Sequence, residues 1–100
     1  MVTKACPLFE LGFVHGTPRA VEAIAEAQQE PAEFLRLHHV GDWGDCCPED
    51  AAENEKSLLD GSRIFSVYRT RSGVKLWVIT EAKDDTGRRR STCILLPEEY

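Results

Sequence analysis

Near residue 63 the spacing of apolar side chains changes, and this break constrains the fold more than any other feature of the chain. Before it, apolar residues recur every three or four positions, as in Ala20, Val21, Ile24 and Ala27, then Phe34 and Leu35 with His38 near the same stripe. That is the period of a helix with one buried side. After it, residues 63–68, 74–80 and 92–96 are rich in β-branched and aromatic types and alternate in character, as strands do. Helices followed by strands predict an α+β fold: two to three N-terminal helices packed on a C-terminal three-stranded antiparallel meander.

Local punctuation places the elements. Thr17-Pro18 starts a helix, because Thr caps well and the missing proline N–H costs nothing at the first helical position. Glu30-Pro31 restarts the pattern and Gly41 closes it. Pro48 opens a third helix with Glu49 and Asp50 in its first turn, where carboxylates suit the helix dipole, and Gly61 is its C-terminal cap. Arg71-Ser72-Gly73 makes a hairpin turn, the charged stretch 83–90 links the last two strands, and Pro97 ends the sheet. The run 7–14 reads as a strand or an extended lead-in. With 100 residues, no repeat and no linker, the expectation is one domain over residues 1–100. Its helical part covers about 17–60 and its meander about 63–97.

The middle strand carries Val74, Leu76 and Val78 on one side and Trp77 and Ile79, between Lys75 and Glu81, on the other. Both faces of the sheet are therefore partly apolar. The N-terminal segment is expected to cover the second face. Failing that, the face is an interface with another protein or with a second copy, giving a homodimer through Trp77.

Charge is divided along the chain. Residues 1–62 hold four Lys/Arg against twelve Asp/Glu, and residues 63–100 hold eight against five, for a net charge of −5. No stretch approaches the roughly 20 apolar residues of a membrane span, and residues 1–7 lack the apolar run of a secretory leader. The expectation is a cytoplasmic protein without membrane contact, whose Cys6, Cys46, Cys47 and Cys93 are reduced thiols.

One set of motifs runs through most of the chain: Gly41-Asp42-Trp43-Gly44, Glu53-Asn54-Glu55, Gly61, Ser66-Val67-Tyr68, Leu76-Trp77-Val78-Ile79-Thr80-Glu81-Ala82 and the ending Ile94-Leu95-Leu96-Pro97-Glu98-Glu99-Tyr100. Over residues 8–100 this pattern resembles a family of small proteins carried on bacterial plasmids and integrated mobile elements, labelled "plasmid-related protein". The resemblance implies a compact accessory protein of a mobile element and no defined biochemical activity. The stretch 83–90, longer here and ending in three arginines, departs from the family's pattern, as do Cys46 and Cys47.

The chemistry-bearing residues each have a functional and a simpler reading. His38-His39 and Cys46-Cys47 are zinc-ligand types, but adjacent helical residues point about 100° apart, so no metal or cofactor is expected. Asp42, Asp45, Glu49 and Asp50 around Trp43 form an acidic cluster, read more simply as turn and cap chemistry with Trp43 filling the space between helices and sheet. Ser66, Thr80 and Thr92 are strand hydroxyls, His15 is isolated, and no nucleophile elbow or phosphate loop occurs, so catalysis is not expected. Arg88, Arg89 and Arg90, with Arg69, Arg71 and Lys75, form a candidate basic rim for phosphates, with Tyr68 and Trp77 available to stack on bases. A pI of about 5.1 opposes that reading.

These residues predict a non-enzymatic interaction protein that modulates a host or defence complex through a protein partner. Its candidate contacts are Asp42, Trp43, Asp45, Glu49, Asp50, Tyr68, Trp77, Arg88, Arg89 and Arg90. A nucleic-acid-binding module using the three arginines is the alternative, followed by a small hydrolase or ribonuclease using His15 or the Asp42 region.

Overall fold

The computed structural model describes residues 6–100. Its elements are β1 (Phe13–Gly16), α1 (Pro18–Glu26), α2 (Pro31–His39), α3 (Pro48–Asp60), β2 (Ile64–Arg69), β3 (Lys75–Thr80) and β4 (Ser91–Leu95), with a 3-10 turn at Pro97–Glu99. All three helices begin at the expected prolines. Thr17 accepts a hydrogen bond from the Ala20 amide at 3.1 Å, and Gly61 ends α3 at φ 83°, a left-handed conformation that glycine adopts without strain.

The fold is α+β, but the sheet corrects one expectation. It has four strands in the order β1-β4-β3-β2 and is mixed. β2, β3 and β4 pair antiparallel in sequence order, while β1 joins β4 in parallel, with Phe13 opposite Ser91 and Gly16 opposite Ile94. A strand therefore precedes the helices. Among the described residues the N-terminal segment does not cover the second face of the sheet; it extends the sheet sideways. Upstream of β1 it crosses the helical side, where the Leu8 amide donates to the His39 carbonyl at 2.9 Å and the Phe9 ring meets the His38 ring at 5.2 Å between centroids.

Register divides the strands into two faces. Ile64, Ser66, Tyr68, Leu76, Val78, Thr80, Thr92 and Ile94 point to the helical side, where all are buried. Ala20 and Ile24 of α1, Phe34 of α2 and Leu96 complete that core. Each large side chain buried there contributes roughly 1.5–3 kcal/mol. Phe65, Val67, Trp77, Ile79, Cys93 and Leu95 point to the opposite face. None of the helices in the described chain is long and apolar enough to cross a membrane.

A polar chain runs through this core and has one consistent proton order. The Thr92 hydroxyl donates to the Leu11 carbonyl (2.7 Å), so the Thr80 hydroxyl must donate to Thr92 (2.6 Å). Thr80 then accepts from His38 Nε2–H (2.8 Å), leaving Nδ1 to accept from the Ser66 hydroxyl (2.5 Å). His38 is thereby fixed as the neutral Nε2–H tautomer. Burial lowers its pKa to about 3, helped by His39 and Arg89. All four side chains are inaccessible to solvent, so the serine–imidazole pair is a core device closed to any substrate.

Candidate functional site: an aromatic cleft beside α3

β2 is an edge strand, and the preceding chain closes its free edge. The Asn54 side chain of α3 bridges the Phe65 backbone, accepting from its N–H at 2.9 Å and donating to its carbonyl at 2.6 Å. The Cys46 thiol adds a contact to the same carbonyl at 3.2 Å, and burial raises that thiol's pKa. One step along, the Val67 N–H donates to the Trp43 carbonyl and the Asp45 N–H donates to the Val67 carbonyl, at 3.2 and 2.7 Å. Gly44, between those two residues, sits at φ 70°, and any side chain there would collide with the Val67 carbonyl oxygen. Unpaired strand edges invite association; here a helical asparagine and a glycine turn substitute for the missing strand.

Asn54 also sets α3 beside the outer face of the sheet, and a cleft of about 420 Å³ opens between them. Phe65, Trp77 and Tyr100 give it an aromatic floor, extended by Ile79, and Asp50, Glu53 and Ser57 of α3 form one wall. The rings pack edge to face, with Phe65 5.0 Å from Trp77 and Trp77 5.5 Å from Tyr100, a geometry that aromatic quadrupoles favour. On the far side the Arg63 guanidinium lies 5.6 Å from the Tyr100 ring centroid and donates to the Tyr100 hydroxyl. Asp50 and Glu53, one helical turn apart, are both exposed and stand outside all ion pairs of the described residues. The arrangement is a partly enclosed apolar surface with two carboxylates outside any ion pair on one wall and the Arg63 guanidinium on the other.

Of the ten residues singled out from sequence, the structure brings only Asp50 and Trp77 into this cleft. Glu49 is exposed in the first turn of α3, away from the lining. Asp42 caps its own turn, accepting from the Gly44 amide, and Asp45 lies 3.4 Å from Arg69 in an exposed pair. Trp43 is buried between Phe9 and His38, with its indole N–H donating to Glu55 at 2.9 Å. Tyr68 is also core, donating to the Asp42 carbonyl at 2.5 Å, and burial raises its phenol pKa. Neither aromatic is presented to a base or a partner.

The three arginines do not form a free basic rim. Arg88 makes a forked contact with Glu10 at 2.9–3.1 Å, which lowers that carboxyl's pKa and raises that of Arg88. Arg90 contacts Asp84 at 2.5 Å. Arg89 points inward and is 2% exposed. Its guanidinium donates to the carbonyls of Ser57 (3.0 Å), Ser62 (2.7 Å) and Glu81 (3.0 Å) and lies over the Phe9 ring. Two of those acceptors belong to the end of α3 and the turn after it, where the helix dipole is negative; the Ser57 carbonyl also accepts the Gly61 amide at 2.9 Å. Residue 89 bridges residue 83 in a short antiparallel contact, so successive side chains alternate and the middle arginine turns in.

The four metal-ligand types also diverge: His38 enters the core chain, His39 donates to the Phe9 carbonyl at 2.7 Å, Cys46 meets Phe65 and Cys47 is exposed. Among the described residues no three His, Cys, Asp or Glu side chains converge. Sequence reasoning did not single out Phe65, Ile79, Asn54, Arg63 or Tyr100 as cleft residues. The alternation of Phe65 with Ser66, and of Trp77 and Ile79 with their neighbours, carried part of the signal. Comparison with protein-family models, curated proteins and solved structures finds no match to this chain, so the resemblance to the plasmid-borne family rests on its sequence motifs alone.

Proposed function

We propose that this chain is a non-enzymatic accessory protein of a bacterial mobile element, acting by contact, and that its cleft receives a basic segment of a protein partner. The observation that carries this reading is the aromatic floor of Phe65, Trp77 and Tyr100 beneath the unpaired carboxylates of Asp50 and Glu53. A lysine or arginine suits both parts at once: its stem lies on the rings while its head reaches the carboxylates. The cleft volume fits one or two such side chains within the usual range for ligand sites. Arg63 stacked on Tyr100 supports the reading, since the molecule already makes one such contact with its own guanidinium. The acidic front half adds long-range attraction for a basic partner.

The nucleic-acid alternative is weakened by the engagement of Arg88 with Glu10, Arg90 with Asp84 and Arg89 with interior carbonyls. The test is capture of partners from a bacterial lysate, with and without nuclease, by the wild-type chain, by Asp50→Lys/Glu53→Lys and by Trp77→Ala. The expected result is a stoichiometric protein that survives nuclease and is lost with either variant, each shown folded by circular dichroism. Retention of nucleic acid alone, or of a protein indifferent to both variants, overturns the proposal.

A further inference from the structure

The two edges of the sheet are treated differently. At β2 every outward group of Phe65 and Val67 is paired within the chain. At β1 the Phe13 and Thr17 amides donate to the carbonyls of Arg90, just before β4, and Ile94 within it, so the intervening Val14 and Gly16 turn their N–H and C=O groups outward. Among the described residues nothing pairs with them. Phe13 is 73% exposed, and Val14 and the neighbouring Val21 of α1 are 39% and 43% exposed. The strand, Phe-Val-His-Gly, carries none of the lysines or prolines that protect natural edges.

We infer that β1 is a self-association edge, pairing antiparallel with β1 of a second copy across a two-fold axis at His15. This register exhausts the outward groups: Val14 of each copy exchanges two hydrogen bonds with Gly16 of the other, and none is left over. It also sets each valine side chain opposite a glycine, so the helical side closes without a clash of large groups at the strand pair. On the opposite side His15 meets His15 of the other copy, and Phe13, whose ring stacks 5.8 Å from His15 within one chain, faces Thr17 of the other. Charge is compatible as well. Arg19–Glu98 and the Glu99 carboxylate lie beyond Gly16, and the Arg90–Asp84 pair lies beside Phe13, so antiparallel pairing sets the net negative end of one copy against the neutral end of the other and opposes no like net charges. The strand itself carries no Lys, Arg, Asp or Glu, and such an edge selects a copy of itself over a strongly charged strand. Four residues a side fall far below the roughly 20–30 of a standard interface, so association is expected to depend on concentration.

Sedimentation equilibrium of the wild-type chain from micromolar to millimolar concentration should show a monomer–dimer equilibrium. Val14→Pro removes only an outward N–H, which an edge strand tolerates, and should abolish the dimer while leaving the circular dichroism spectrum intact. In a background with the four native cysteines changed to serine, His15→Cys should form an intermolecular disulfide on mild oxidation, because the two positions face each other at the axis. Phe13→Cys in the same background should not. A monomer throughout the concentration range, a dimer unaffected by Val14→Pro, or equal cross-linking at positions 13 and 15 overturns the inference.

Discussion

The buried imidazole makes the protein's stability depend on pH in a way that can be calculated. In the folded state His38 stays neutral, because burial lowers its pKa from 6.5 to about 3. Once unfolded, it regains its ordinary affinity for protons. As pH falls below 6.5 the unfolded chain binds a proton at this residue that the folded chain does not, so stability falls until pH approaches the folded pKa. Between pH 7 and pH 5 this one group should cost about 2 kcal/mol, a substantial part of the roughly 5–15 kcal/mol typical of a domain. The carboxyls of Glu10, Asp84 and Glu99 have folded pKa values held below their ordinary 4.5, 3.8 and 4.5 by hydrogen bonds. Their stabilisation is lost only at lower pH, outside this window.

The assay is urea unfolding at pH 7, 6 and 5, followed by the fluorescence of Trp43 and Trp77. With a slope of about 1–2 kcal/mol/M, the midpoint should fall by about 1–2 M from pH 7 to pH 5. His38→Gln, which keeps a donor and an acceptor without a titrating ring, should be less stable at pH 7 but lose most of that pH dependence. Nitrogen chemical shifts of the folded wild type should independently show a neutral ring protonated at Nε2 at pH 5. A flat wild-type profile, an unchanged slope in the variant, or a protonated His38 in the folded chain at pH 5 would refute the proton order of the Thr92–Thr80–His38–Ser66 chain.

Arg89→Met keeps the length of the side chain but strands the Ser62 and Glu81 carbonyls and leaves Ser57 only the Gly61 amide, so it should cost about 2–4 kcal/mol in chemical denaturation. Arg88→Ala and Arg90→Ala, at exposed pairs, should leave stability near wild type. Asn54→Ala removes the partner of the Phe65 N–H and leaves its carbonyl only the Cys46 thiol, and should cost about 1–3 kcal/mol. Asn54→Asp, nearly identical in shape, should do no better, because its second oxygen faces the Phe65 carbonyl; thermal melts and faster amide exchange at Phe65 would show both effects.

What the sequence made legible was local. Pro18, Pro31 and Pro48 mark helix starts and Gly61 a helix end through the conformations of single residues, and these signals survive folding unchanged. The antiparallel neighbours β2, β3 and β4 follow from alternation joined by short connections. The run 7–14 reads as a strand or an extended lead-in, but the bounds of β1 and its place in the sheet are hidden, because its partner is β4 at the other end of the chain and four residues are too few for a period to emerge. The run Arg88-Arg89-Arg90 looks uniform as text, yet alternation across an extended backbone divides it into two exposed pairs and one buried cation.

The candidate cleft was only half legible for a related reason. Trp77 and Asp50 are conspicuous residue types, but their juxtaposition depends on where α3 lies. Apolar burial fixes that only weakly, since the residues of α3 that bury fully are Asn54 and Ser57. Polar contacts do more. Asn54 ties the middle of the helix to the β2 edge, while Arg89 holds the Ser57 and Ser62 carbonyls at its end. Both side chains satisfy backbone groups that burial would otherwise leave unpaired, and directional bonds fix an orientation that non-directional apolar contact does not. The position of the acidic wall over the aromatic floor is therefore set by an asparagine and an arginine whose own chemistry is spent inside the fold.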